Sequence, residues 1–468
     1  MKKLFLAILL VAFFVSGCCK ECPDCTNGAP PPKQMRGEKA EKRAEGKGRI
    51  KEPGKTGVAE AKTEAKEAPA VDLAIQAHPI VDSPEPVEVL LWHAYRGTER
   101  VALDELVERF NDAHTNLKIR SLPIPFDALR DKLQITIPRG QGPDVFIYAH
   151  NLIGDWLESE SEPLVESVNA WVTDEELVRF KKEAVTPLIY KEALYGLPLA
   201  LKSAVLYYNK AIVGDEPPFD TDAMLALAKK HTKVDEKRYG LVYEAAGLYF
   251  HALFIHGFGG QILDENNEPQ LDTPEQIEAA KYVRSLALDS KVVPADMTAF
   301  MVASLFNDGK AAMVISGPWF RGDIKEGVDY GVALLPEVTA TRQPLKPLLG
   351  VEAMFMNAKS EKKKWALEVM RYFSSDESAL LRFRKGLQPV PNRAVLATEE
   401  VRKDPFIPVF AAQAARAVPM SASRQMQVVW STMDNALKRA IFDASSDPAT
   451  ALGEAQKKVL HDIGRQKR

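Results

Sequence analysis

A regular alternation of short apolar runs and amphipathic segments between residues 87 and 149 restricts the folds open to this chain. Runs of strand length predict three strands, at Val87–Trp92, Lys118–Ile124 and Val145–Ala149. Apolar residues at helical spacing predict two intervening helices, one with Thr98 as its N-cap and one over residues 126–136. This order is typical of an α/β fold in which helices cover both faces of a parallel sheet.

The carboxyl ends of these strands are the expected place for a ligand, because ligands of parallel sheets bind beyond that edge. Trp92, Tyr95 and Arg96 lie at the end of the first predicted strand, and Tyr148 and Asn151 at the end of the third. The sequence therefore predicts a site with aromatic and polar side chains at this edge.

The N-terminus carries the features of an exported lipoprotein. Lys2 and Lys3 precede an apolar run, residues 4–15, that is too short to span a bilayer comfortably. Val15-Ser16-Gly17-Cys18 then resembles a bacterial lipobox. We expect residues 1–17 to be a lipoprotein signal peptide and a lipid on Cys18 to anchor the chain at the periplasmic or extracellular face of a bacterial membrane. An ordinary signal peptide and an uncleaved anchor are the alternatives.

Residues 18–85 are predicted to form a disordered tether. No Phe, Trp or Tyr lies between Phe14 and Trp92, and residues 33–66 are dense in Lys, Arg and Glu. Such a segment cannot offset its ordering entropy by apolar burial. As a coil of roughly 65 residues it would span about 45 Å, which lets the body diffuse near the membrane.

All four cysteines lie at the start of this tether, at positions 18, 19, 22 and 25, so the body after them has no disulfide. The spacing of Cys19, Cys22 and Cys25 fits either the start of a metal or Fe–S site or extra thiols beside a lipid anchor. We favour the thiols, because no other cysteine can complete a four-thiolate site.

Composition and charge exclude several classes of protein. With 46% hydrophobic and 27% charged residues, the chain is neither wholly disordered nor a multi-span membrane protein. The formal net charge is -3, and removal of the two signal-peptide lysines gives -3 - 2 = -5. No overall basic field indicates nucleic-acid binding.

Three motifs resemble, in order and spacing, segments of bacterial maltose/maltodextrin-binding proteins. They are GQGPDVFIYAH at 140–150, YGLPLA at 195–200 followed by LYYNK at 206–210, and FNDGKAAMVISGPW at 306–319. The agreement is colinear from about residue 86 to the C-terminus.

The resemblance implies a periplasmic-binding-protein type II fold, with two α/β lobes joined by a multi-strand hinge. One lobe would comprise residues 86–200 and 346–394, and the other residues 201–345 and 395–468. Such lobes close over a solute by hinge motion.

The function implied is that of a substrate-binding lipoprotein that captures maltose or maltodextrin and delivers it to the permease of an ABC importer. The chain carries no G-x-x-x-x-G-K-[ST] loop, so the ATPase would be a separate subunit. We expect no cofactor, no metal and no catalysis, and the resemblance implies a monomer.

Sugars present apolar C–H faces and a rim of hydroxyls, which aromatic faces and forked polar groups can satisfy. Trp319 matches the family's stacking tryptophan after Gly-Pro, and Tyr249 with Phe250 matches its aromatic pair. The predicted substrate-binding residues are Trp92, Tyr95, Arg96, Tyr148, Asn151, Lys202, Tyr249, Phe250, Trp319 and Trp430. Trp156, Trp171 and Trp365 are expected to pack.

The polar positions depart from the family. Asn151-Leu152 stands where the best-known members carry Asp-Arg, and Lys202 aligns with their glutamate at the lobe crossing. Arg96, Lys202 and Arg321 would make the rim of the site more basic, which suits either an acidic or phosphorylated oligosaccharide or a neutral glucan held by different donors.

Two further classes stay open. A tethered secreted glycoside hydrolase would need two carboxylates that face each other across the cleft, and no convincing pair is evident. A lipoprotein that binds polysaccharide without import is the weaker option. His251 and His256 have no carboxylate at metal spacing and are expected to pack.

Overall fold

The structure is a computed structural model that describes residues 74–158 and 162–466. The predicted signal peptide, Cys18 and most of the tether lie outside the described residues. Within the described ranges, no helix is both long and apolar enough to cross a membrane.

The last residues of the predicted tether contact the folded body. The Asp82 carboxylate accepts hydrogen bonds from the backbone N–H groups of Thr115, Asn116 and Leu117, at 2.7 to 3.2 Å. These bonds, with that of Ser83, overcome desolvation and lower the pKa of Asp82 to about 2. Asp82, which lies before residue 86, is therefore held against the folded body.

The predicted strands and helices of the first region are present, with small shifts at their ends. The strands are β1 Val87–His93, β2 Leu117–Pro123, β3 Val145–Ala149, β4 Ile189–Tyr190, β5 Ala193–Leu194, β6 Gly196–Lys202, β7 Val205–Asn209, β8 Tyr239–Val242, β9 Ala311–Ser316, β10 Tyr330–Ala333, β11 Glu337–Val338, β12 Gln343–Pro344, β13 Leu348–Met356 and β14 Val418–Pro419.

The α-helices vary in length from one turn to five. They are α1 Gly97–Ala113, α2 Phe126–Thr136, α3 Ile153–Glu158, α4 Asp174–Leu177, α5 Lys182–Val185, α6 Lys210–Val213, α7 Thr221–His231, α8 Leu248–Gly257, α9 Pro274–Arg284, α10 Ala299–Asn307, α11 Lys363–Ser374, α12 Asp376–Gly386, α13 Arg393–Ala397, α14 Glu399–Lys403, α15 Ile407–Ala414, α16 Arg424–Phe442 and α17 Pro448–Gln466. Thr98 is not the N-cap of α1, because the helix starts at Gly97 with Arg96 in the N-cap position.

The first sheet has the order β14-β13-β3-β1-β2, and β6 also pairs with β13. β1 is parallel to both β2 and β3, which confirms the predicted parallel arrangement. β13 runs antiparallel to β3 and β6, and its first residues pair with β14 in parallel. A ligand site is predicted at the end of β3. By pairing with both β3 and β14, β13 connects this strand to a segment that comes much later in the sequence.

The second sheet has the order β10-β7-β9-β8. β7 is antiparallel to β9 and β10, whereas β8 and β9 are parallel. The strand β9 ends at Ser316, immediately before the Gly-Pro-Trp motif.

Each sheet is packed into its own apolar cluster. Around the first sheet, Trp156 contacts Phe146 and Phe355, with ring centroids 5.3 and 5.2 Å away. Helices α8, α9, α16 and α17 pack on one another and share a separate apolar cluster with residues of the second sheet. Tyr207, Phe306 and Phe320 belong to a smaller cluster on the second sheet.

Candidate functional site

Three of the predicted aromatic side chains meet beside the second sheet. Trp319 lies on the short 3-10 helix Pro318–Asp323 that follows β9, and Tyr249 and Phe250 lie in the first turn of α8. The Trp319 and Tyr249 ring centroids are 6.0 Å apart with the planes at 52°, and Phe250 contacts Tyr249 edge-on at 5.2 Å. Trp319 and Tyr249 are half-buried, so they retain surface for a ligand.

Gly317 allows the indole of Trp319 to occupy this position. A Cβ atom at Gly317 would lie 2.2 Å from ring atoms of Trp319, a distance no side chain tolerates. The Tyr207 hydroxyl donates a 2.8 Å hydrogen bond to the Gly317 carbonyl and fixes the turn. The Gly-Pro-Trp sequence therefore folds the indole back over its own backbone.

Lys202 joins this aromatic group to the first sheet. It is the last residue of β6, and its Nζ lies 5.9 Å from the Trp319 ring centroid and 5.8 Å from that of Tyr95. Both distances fall within the range of a cation–π contact. Lys202, Tyr95 and Trp319 are thus brought together from three separate segments.

Two carboxylates that sequence reasoning missed hold the Lys202 ammonium. Its Nζ lies 2.6 Å from Glu99 Oε1 and 3.4 Å from Glu352 Oε2. The Tyr95 hydroxyl donates a 2.6 Å hydrogen bond to Glu352, and Gln388 Nε2 donates one of 3.0 Å to Glu99. Burial opposes the charge on Lys202, but the two carboxylates outweigh it and raise the Lys202 pKa.

Burial, together with the neighbouring Glu99, raises the pKa of Glu352, although Lys202 acts against this shift. Arg382, which is 1% exposed, lies near the same groups and donates to the carbonyls of Leu199, at 2.5 Å, and Phe373, at 3.2 Å. The floor of the site is therefore a buried network of two cations and two carboxylates.

Arg96 lines a small cavity together with Phe250, Trp319 and Asp323. Its guanidinium pairs with Asp323 at 3.2 Å, and Arg321 pairs with Asp404 at 3.4 Å. Arg96, Lys202 and Arg321, which were expected to make the rim more basic, each have a carboxylate partner.

Trp92 and Tyr148 contact other side chains. Trp92 is 4% exposed, with Lys132 Nζ 4.8 Å from its ring centroid, and Tyr148 is 6% exposed and stacks on Phe126 at 4.8 Å. The structure places both rings mainly in packing contacts.

Asn151 and Trp430 lie where the first sheet meets α16. The Asn151 carbonyl accepts a 2.7 Å hydrogen bond from Gln427 Nε2. Trp430 is half-buried against the core of the second sheet, and its Nε1 has no hydrogen-bond partner among the described residues. This indole N–H is buried, so the structure leaves it without a protein partner and does not expose it to solvent.

Residues 96–380 match the model of the family described as bacterial extracellular solute-binding protein. A maltotriose-binding protein of Pyrococcus abyssi is 29% identical over 382 residues, which is 80% of this chain and 82% of that protein. A galactooligosaccharide-binding protein of Bacillus subtilis is 24% identical and covers 79% of this chain and 87% of its own length.

Among solved structures, a Thermus thermophilus maltotriose-binding protein with bound maltotriose superimposes with a TM-score of 0.74 at 25% identity. The alignment covers 80% of this chain and all of that one. These findings confirm the resemblance to maltose/maltodextrin-binding proteins and the type II periplasmic-binding fold, with two α/β lobes and a multi-strand hinge.

Proposed function

Because the chain belongs to the family of bacterial extracellular solute-binding proteins, we propose that it captures maltose or maltodextrin between its lobes for an ABC importer. The lobes are residues 86–200 with 346–394, and 201–345 with 395–468. The bound sugar passes to the permease subunits, and a separate ATPase drives import.

The observation that carries this proposal is the meeting of Tyr249 and Trp319 with Lys202 and Tyr95. Half-buried rings at 6.0 Å offer an apolar face to a pyranose ring. The Lys202 ammonium between Tyr95 and Trp319 offers hydrogen-bond donors to hydroxyls. Arg96, Phe250, Asn151 and Trp430 would complete the site, with Trp92 and Tyr148 beneath it.

Charge pairing supports a neutral sugar over an acidic or phosphorylated one. Lys202 is balanced by Glu99 and Glu352, and Arg96 by Asp323. An anionic ligand would have to compete with carboxylates that are already in place. Another neutral oligosaccharide is the second candidate, because a relative of similar coverage is a galactooligosaccharide-binding protein.

The same pairing argues against a glycoside hydrolase. Glu99 and Glu352 both contact the ammonium of Lys202, so neither faces the other across an open cleft, as an acid and a base must.

Delivery of the sugar to a membrane permease fits a chain that is exported by the signal peptide, residues 1–17, and held at the membrane by a lipid on Cys18. The chain would act as a monomer.

Calorimetric titration of the purified chain with maltose, maltotriose, a longer maltodextrin and a galactooligosaccharide tests the proposal. We expect micromolar binding of the α-glucans and recovery of the sugar intact. Absence of heat with all the α-glucans, or shortening of the sugar during incubation, would contradict it.

A further inference from the structure

The charged side chains beside the aromatic group affect which ligands the site can bind. Lys202, Glu99 and Glu352 are only slightly accessible, with side chains that are 12%, 11% and 17% exposed. They come from β6, α1 and β13, so three parts of the fold position a single ammonium group.

The ammonium of Lys202 has three N–H donors. Glu99 and Glu352 can accept two of them, at 2.6 and 3.4 Å. One donor is left, and the Trp319 ring that would stack on a sugar is 5.9 Å away. Lys202 is thus held in place to donate to a ligand hydroxyl.

The carboxylates also cancel the charge that Lys202 would otherwise present. Charges a few Å apart at a partly buried site interact strongly, since water screens them poorly. Lys202 and Arg382 are offset by Glu99 and Glu352, and at the rim Arg96 is offset by Asp323. Lys202 alone would attract an anionic ligand, whereas the balanced network does not.

We propose that Glu99 and Glu352 make the site select uncharged over anionic oligosaccharides, by orienting Lys202 and cancelling its charge. Both act on the ligand through Lys202 and are positioning residues. This inference rests on the proposed sugar-binding function and specifies what that site excludes.

The test compares maltotriose with a maltotriose whose terminal CH2OH group has been oxidised to a carboxylate. Wild-type chain is expected to prefer maltotriose by about tenfold or more, because the carboxylate of the oxidised sugar would lose its hydration at a site whose charges are already balanced. In the isosteric variants Glu99→Gln and Glu352→Gln, the preference should shrink by at least about tenfold, because one negative charge is lost.

A double variant separates charge from loss of structure. Glu99→Gln combined with Lys202→Met removes one charge of each sign, so we expect overall affinity to fall while the preference stays near the wild-type ratio. Replacement of both members of a buried ion pair is also better tolerated than removal of one. Glu236→Gln, at a surface carboxylate with a side chain 53% exposed, is the matched control and should change nothing.

Two results would overturn the inference, and they differ from each other. If wild-type chain binds maltotriose but folded Glu99→Gln and Glu352→Gln variants keep its preference, only the role of the carboxylates fails. If wild-type chain binds neither sugar, the proposed function fails as well.

Discussion

His150 Nε2 donates a 2.8 Å hydrogen bond to the carbonyl of Met420 and so connects the end of β3 to the residue after β14. The Val351 N–H on β13 donates to the other ring nitrogen, Nδ1, at 3.0 Å. Nδ1 must therefore be unprotonated, and the bridge between these three segments exists only while the buried imidazole is neutral.

The His150 bridge predicts a pH-dependent stability. Burial lowers the pKa of His150 to about 4, below the 6.5 of an ordinary histidine. Between these values the unfolded chain binds more protons than the folded chain, so the free energy of unfolding falls as the pH falls from 6.5 towards 4. This histidine should account for about 2 kcal/mol of the loss between pH 7 and pH 5.

Urea denaturation of wild-type and His150→Gln chains at both pH values measures this contribution. The variant should be less stable at pH 7 but lose about 2 kcal/mol less on going to pH 5. His461→Gln, at a side chain 67% exposed, is the control and should keep the wild-type dependence. An identical loss in His150→Gln and wild-type chains would contradict the prediction.

Trp319→Ala should weaken maltotriose binding by about 2 kcal/mol, or roughly 30-fold in Kd, the scale of a central aromatic contact. The half-buried indole supplies one of the two rings that would stack on the sugar. Titration calorimetry and a thermal melt separate lost affinity from lost fold. Trp171→Ala, at a tryptophan 38% exposed, should bind like wild type. Unchanged affinity in Trp319→Ala would remove Trp319 from the site.

Tyr249→Phe should lower affinity without lowering stability. The Tyr249 hydroxyl is buried and has no hydrogen-bond partner among the described residues, so its removal costs the folded chain no such bond. The hydrogen bond between the Tyr249 hydroxyl and a ligand hydroxyl would be lost. This loss should cost about 1 kcal/mol, which is a fivefold rise in Kd. Tyr282→Phe removes a hydroxyl that donates to the Thr221 carbonyl, and it should leave affinity unchanged. A lower melting temperature with full affinity in Tyr249→Phe would contradict this prediction.

The first sheet could be predicted because its signals are local. Apolar runs bounded by turns predicted β1, β2 and β3. These runs depend on residues that are close in sequence, which periodicity describes well. The role of Trp319, by contrast, was implied by the resemblance of the Gly-Pro-Trp motif to the family and stays a prediction.

The charge network could not be predicted, because its members are far apart in the chain. Glu99 looks like a solvent-exposed acid in the first turn of a helix, a position where acids are common. Glu352 lies in an otherwise apolar strand, and only the pairing of β13 with β6 brings it to Lys202. Lys202 therefore looked like a free cation until the fold supplied its partners.

Gly322→Ala should weaken sugar binding by hindering closure of the lobes. A Cβ atom at Gly322 would lie 2.4 Å from Thr98 Oγ1, and Gly97, with φ of 51°, lies against the Gly322 carbonyl. The neighbouring ion pair between Arg96 Nη2 and Asp323 Oδ2, at 3.2 Å, joins the same two segments. Since residues 96–98 and 322–323 belong to opposite proposed lobes, we expect their contact to form when the lobes close.

The added methyl group should therefore raise the Kd for maltotriose about tenfold, or ~1.4 kcal/mol, by destabilising the closed form that binding selects. Small-angle X-ray scattering should show less compaction on addition of maltotriose than in wild type. Gly464→Ala, on α17 with no atom within 4 Å of the new methyl group, should behave as wild type. Equal affinity and equal compaction in Gly322→Ala and Gly464→Ala would show that the contact between Thr98 and Gly322 plays no part in closure.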